Sequence, residues 1–100
     1  MNNKVELHEN ICTELNVTYY RKNSDYGDSF AKLRDEMPNA ILVRIYDKYR
    51  RLHSLLNGKQ QLVNDESVED TLSDLANYCI MELVERRLEK MQGEQNENIK

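Results

Sequence analysis

The stretch NDESVEDTLSDLANYCI, residues 64–80, places five carboxylates between Asp65 and Asp74 with no Lys or Arg among them. At roughly 100° per residue on a helix, Glu66, Glu69, Asp70, Ser73, Asp74 and Asn77 gather on one side. Leu72, Leu75, Ala76, Cys79 and Leu83 form the other. Like charges at this spacing repel and weaken a helix unless a cation offsets them. Hard oxygen ligands suit Mg²⁺, which commonly bridges carboxylates to phosphates. Glu66, Glu69, Asp70 and Asp74 are therefore the expected metal ligands. A solvated helix face has the same appearance. Ile80, Met81 and Val84, however, continue the line of Asp70 and Asn77 with apolar residues, so the late helix is expected to be covered on more than one side.

A second set is basic. RIYDKYRR, residues 44–51, carries four bases and one acid, a local charge of +3. Arg44, Asp47, Lys48 and Arg51 are expected on a face opposite an Ile41–Ile45–Leu52–Leu56 seam. Guanidinium and ammonium groups suit phosphate oxygens, so Arg44, Lys48 and Arg51 are candidate phosphate ligands. The same residues facing the acidic helix would equally make an interhelical salt-bridge network. In RKNSDYGDSF, residues 21–30, Tyr26 or Phe30 could stack on a base or pin a loop to the core. Asn77 is grouped with these contacts. His8 and His53 lack metal-ligand spacing, and no catalytic nucleophile–base constellation is evident.

The elements that must position these groups are helical. Val5, His8, Cys12, Leu15 and Tyr19 recur at helical steps over about residues 4–22. A turn follows, then a short helix, FAKLRDEM, capped by Asp28 or Ser29 and ended by Pro38. Asn39 can start a third helix over about residues 40–56, with Asn57–Gly58 as its stop. KQQLVNDES is a polar connection, and a fourth helix is expected from about residue 66 or 67 to 91. The reading is an all-α, small helical bundle of three long helices and one short helix. Residues 1–92 form a single domain and residues 93–100 a polar, flexible tail.

The 100 residues include 39% hydrophobic and 32% charged residues, 3 Gly, 1 Pro and no Trp. A net charge of −4 opposes general nucleic-acid binding, which needs a broad basic footprint. No apolar run approaches a membrane span of roughly 20 residues, and MNNKVELHEN has no apolar signal core. The expected compartment is the cytoplasm. Cys12 and Cys79 read as buried thiols, with a single bridge left open. A bundle this small has a limited core, so a homo-oligomer, most simply a dimer, is expected.

KNSDYGDSF, RIYDKYRRLHSLL and NDESVEDTLSDLANYCI, in this order, resemble the phage and bacterial family called nucleotide modification associated domain 1, over about residues 18–90. The resemblance implies a phage-type protein that handles nucleotides. A weaker resemblance joins the fourth helix to the all-α MazG-type nucleoside triphosphate pyrophosphohydrolases. Glu66, Asp70 and Asn77 look like their second acidic helix, while their earlier E-x-x-E pair has only Glu6–Glu9 as a counterpart. This implies Mg²⁺-assisted hydrolysis of a nucleotide. The alternatives are a non-catalytic phage protein that binds a nucleotide signal or a host defence protein, and an oligomeric structural or regulatory protein.

Overall fold

The structure is a computed structural model that describes residues 3–26, 28–58 and 67–99, without the side chains of residues 25, 26 and 95–99. Among the described residues there are four helices and no strand: α1 (Asn3–Tyr26), α2 (Ser29–Glu36), α3 (Ala40–Leu56) and α4 (Val68–Ile99). The all-α fold of three long helices and one short helix agrees with the sequence pattern. The polar connection over residues 59–66, including Glu66, lies outside the described residues.

Local chemistry explains the boundaries. Asp28 occupies the N-cap position of α2, and Pro38 lies just beyond its end, where a missing N–H costs no helix bond. Asn39 precedes α3. At the other end the Asn57 N–H donates to the His53 carbonyl, 3.1 Å away. Gly58 follows at φ +67°, a left-handed stop that glycine tolerates best. α4 opens with a reciprocal cap: the Asp70 N–H donates to Ser67 Oγ at 3.0 Å, and the Ser67 N–H donates to Asp70 Oδ2 at 3.3 Å. Two donors that the first turn leaves orphaned are thereby satisfied. α1 runs four residues past its expected end, through the Asn23–Tyr26 stretch, and α4 continues past residue 91 to Ile99.

The main packing is α3 on α4, with α2 against α3 and α1 against α4. Leu15, Phe30 and Ala40 are the buried hydrophobic residues among those described. The face of α4 turned inward is rotated from the expected one. Thr71 and Glu82 are buried and Leu75, Tyr78 and Glu85 half-buried, whereas Leu72, Cys79 and Leu83 are exposed. On α3, Ile41, Ile45, Leu52 and Leu55 are half-buried while Leu56 is exposed, so Leu55 replaces Leu56 in the seam. Cys12 and Cys79 are free and exposed, not buried.

The phase of α4 is set by polar anchoring. Arg34 of α2 grips Glu82 with two parallel bonds, Nε–Oε1 at 2.9 Å and Nη2–Oε2 at 3.0 Å. It also reaches Glu89 at 2.6 and 3.2 Å. Arg86 adds a 2.7 Å bond to Glu82. Charge-assisted forks of this kind fix geometry as well as energy, and here they tie α2 to the middle of α4.

Candidate functional site

Where the four helices meet, a cleft of about 510 Å³ opens. α1 supplies Tyr19, Lys22 and Asn23, and α2 supplies Ser29, Phe30 and Leu33. α3 supplies Arg44, and α4 supplies Asp74, Asn77, Tyr78 and Met81. The extension of α1 beyond its expected end matters here, because it brings Asn23 to the cleft wall next to Lys22, the last residue of the expected helix.

Asp74 is the electrostatic centre. Its Oδ2 accepts from Lys48 Nζ at 3.2 Å, and its Oδ1 lies 3.7 Å from Lys22 Nζ. One carboxylate thus sits between two ammonium groups, from α3 and α1. Arg44 lies over the Tyr78 ring, 5.6 Å from its centroid. That contact combines ring-quadrupole attraction with a fixed guanidinium plane. Tyr78 in turn meets Phe30 at 6.3 Å between centroids. Asn77 donates from Nδ2 to the Leu15 carbonyl at 3.2 Å. It pins α1 to α4 at the edge of the cleft.

The structure therefore brings together Phe30, Arg44, Lys48, Asp74 and Asn77 from the residues singled out by type and spacing. Arg44 and Lys48 are half-buried on the side of α3 that meets α4, not on a face opposite its apolar seam. Positions 41, 44, 45, 48 and 52 share one helical stripe, and the two cations border it. Arg51 is exposed and stands outside the cleft. The side chain of Tyr26 and the whole of Glu66 lie outside the described residues.

Among the described residues the acidic set is dispersed. Glu69 is exposed, Asp70 serves the α4 cap, and Asp74 faces the two lysines. Among the described residues no group of three or more His, Cys, Asp or Glu side chains converges in a way that could hold a metal ion. Among the described residues, Asp74 is the expected metal ligand that lines the cleft, and it stands with cations on both sides.

Three residues of consequence escape a reading by type and spacing. Lys22 ends the expected first helix, apart from the basic run at residues 44–51 that points to phosphate binding. Tyr78 stands one turn from Asp74 and on the same side, a spacing that could have marked it. Glu82 is the acid in IMELV, residues 80–84, where an apolar surround demands a basic partner.

A family model described as nucleotide modification associated domain 1 matches residues 22–85. The chain belongs to this family. The matched span begins at Lys22, includes α2, α3 and the first half of α4, and so covers most of the cleft wall. The family description associates the domain with nucleotide modification, which agrees at a coarse level with nucleotide handling. No curated protein and no solved structure matched the chain. Among the described residues, no helix is long and apolar enough to cross a membrane.

Proposed function

We propose that this member of the nucleotide modification associated domain 1 family binds a nucleotide in the cleft between its four helices. The supporting observation is the convergence of Lys22 and Arg44 with the rings of Tyr19, Phe30 and Tyr78 around one concavity, to which Lys48 is joined through Asp74. Its volume is within the usual range for small-molecule sites. Arg44 and the two lysines meet the phosphates, and the aromatic wall receives the base. Asp74 holds both ammonium groups in place and gives them up when phosphate arrives. Lysine serves phosphate as a mobile point charge and arginine as an oriented fork.

The clamped state of Asp74 favours retention of the nucleotide over its hydrolysis. A nucleotide-derived signal is a suitable ligand for such a protein. In the hydrolytic alternative Asp74 plays a different part. Together with substrate phosphates it holds Mg²⁺, which needs only one or two protein carboxylates. The two readings predict opposite effects of Asp74→Asn. In the retention reading this change removes the acid that competes with phosphate for Lys22 and Lys48, so affinity without Mg²⁺ is unchanged or higher. In the hydrolytic reading it removes Mg²⁺-dependent binding and turnover.

Calorimetric titration with linear and cyclic nucleotides, with and without Mg²⁺, separates them, with mass spectrometry reporting any product. Arg44→Gln is expected to weaken binding by about tenfold or more, the loss that follows from one charge-assisted bond. Asp70→Asn serves as a control, because its carboxylate belongs to the helix cap; ligand affinity stays the same. Wild-type protein that retains and converts no nucleotide at millimolar concentration would sink the proposal and leave a protein partner as the remaining reading.

A further inference from the structure

Independently of the nucleotide reading, we infer that the first half of α1 and the second half of α4 are docking arms for a second copy of this chain. The two helices meet where Asn77 binds the Leu15 carbonyl and Lys22 approaches Asp74. The order of these contacts makes them antiparallel. Beyond that crossing they do not cover one another. Every residue from 3 to 14 is exposed, and so is every residue from 86 to 94. An isolated helical stretch of about twelve residues is marginal in water, so a helix standing free over that length calls for a partner.

The arms carry the apolar surface such a partner needs. Leu7 and Ile11 stand one turn apart on α1, with Val5 nearby. On α4, Ile80, Val84, Leu88 and Met91 follow steps of four, four and three residues, and all are exposed. Between the helices lies a groove of about 210 Å³ lined by residues such as Leu15, Ile80 and Val84.

Area and charge identify the occupant. A compact monomer of this mass exposes about 6,000 Å², whereas this chain exposes 8642 Å². Half of the excess already exceeds the roughly 800 Å² per partner of a standard stable interface. Residues 3–14 carry Lys4 against Glu6, Glu9 and Glu14. On the α4 arm, Glu89 is taken by Arg34 and Arg86 by Glu82, which leaves Arg87 and Lys90 against Glu94. The acidic α1 arm is thus complementary to the Arg87–Lys90 pair of the α4 arm. A two-fold arrangement uses both pairings at once, since each surface is presented by both copies. The result is an intermolecular bundle of two α1 and two α4 arms, spaced like other antiparallel helices.

Sedimentation equilibrium and amide hydrogen exchange on the full chain test this. The expected result is a dimer whose amides in residues 3–14 and 80–91 exchange at least tenfold more slowly than after dilution to monomer. Ile11→Glu combined with Leu88→Glu is expected to give a monomer. The wild-type exchange pattern gives an answer even if that variant fails to fold. A monomer at all concentrations, with fast exchange in both arms, overturns the inference. So does a dimer protected instead along the exposed Leu42–Tyr46–Tyr49 stripe of α3, or one that the double variant leaves intact.

Discussion

At the scale of single residues, the most constrained group is the Glu82 carboxylate. Its side chain is 9% exposed and Arg34's is 13%, and a carboxylate so enclosed is tolerated because it is paired. Hydrogen bonding from Arg34 holds Glu82 below the ordinary carboxylate pKa of 4.5; burial opposes this, and Arg86 assists Arg34. Removing the fork by Arg34→Met should destabilise the fold by about 2 kcal/mol, the scale for a buried polar group left short of a partner, as read by urea unfolding. The pH dependence has a definite sign. A depressed folded-state pKa contributes stability that is present above the unfolded value and lost as pH falls through the folded one. Glu85 works the other way. Burial, followed by repulsion from Asp28, raises its pKa, so its contribution weakens the fold as pH rises through that pKa. The urea midpoint of the wild type is therefore expected to fall on acidification below about pH 4.5. Glu82→Gln should show a shallower fall over the same range; an identical acid response in the two proteins would show that Glu82 does not govern it.

At the scale of elements, the sequence supports helix type and position well and helix rotation poorly. α3 is legible almost to the residue, because Pro38 and Asn57–Gly58 act locally and do not depend on what the helix packs against, although Asn39 stands at the N-cap position without a side-chain cap bond. The phase of α4 is misread when hydrophobicity alone chooses its inner face. Leu72, Leu83 and Cys79 look internal, yet the inward positions include Thr71, Asp74, Tyr78 and Glu82. Three of these groups find partners on other helices: Lys22 and Lys48 for Asp74, Arg34 for Glu82, and Arg44 over Tyr78. Such pairings are tertiary and leave no periodic trace. The candidate site is legible to the extent that it uses charged residues in short runs, as with Arg44, Lys48 and Asp74. Of its α1 wall, Tyr19 and Lys22 fall in the expected helix, and only Asn23 lies beyond the end that turn-forming residues suggest. A pair of substitutions checks the rotation. Leu75→Asp is expected to lower the thermal midpoint clearly, because an unpaired charge enters a half-buried position. Leu72→Asp, at a position 49% exposed, is expected to change it little. The reverse order would restore the hydrophobic phase.

At the scale of the whole molecule, shape and stability are linked. The radius of gyration is 16.9 Å, against about 13 Å for a compact chain of 100 residues. The principal extents are 59 × 41 × 24 Å, and α4 alone, at 32 residues, is about 48 Å long at 1.5 Å per residue. A molecule this elongated has too little interior to offset its own chain entropy comfortably. Its large exposed side chains, including Ile11, Leu83 and Leu88, would enlarge that interior if covered by a second copy. Folding and association would then be a single equilibrium, and stability would depend on protein concentration. A tenfold rise in concentration favours the folded dimer by about 1.4 kcal/mol. For a unit of two such chains this corresponds to a thermal midpoint about 3–6 °C higher. Scanning calorimetry over two decades of concentration measures the shift directly. A midpoint independent of concentration would mean that each chain is stable alone, and the long arms would then need a different physical explanation.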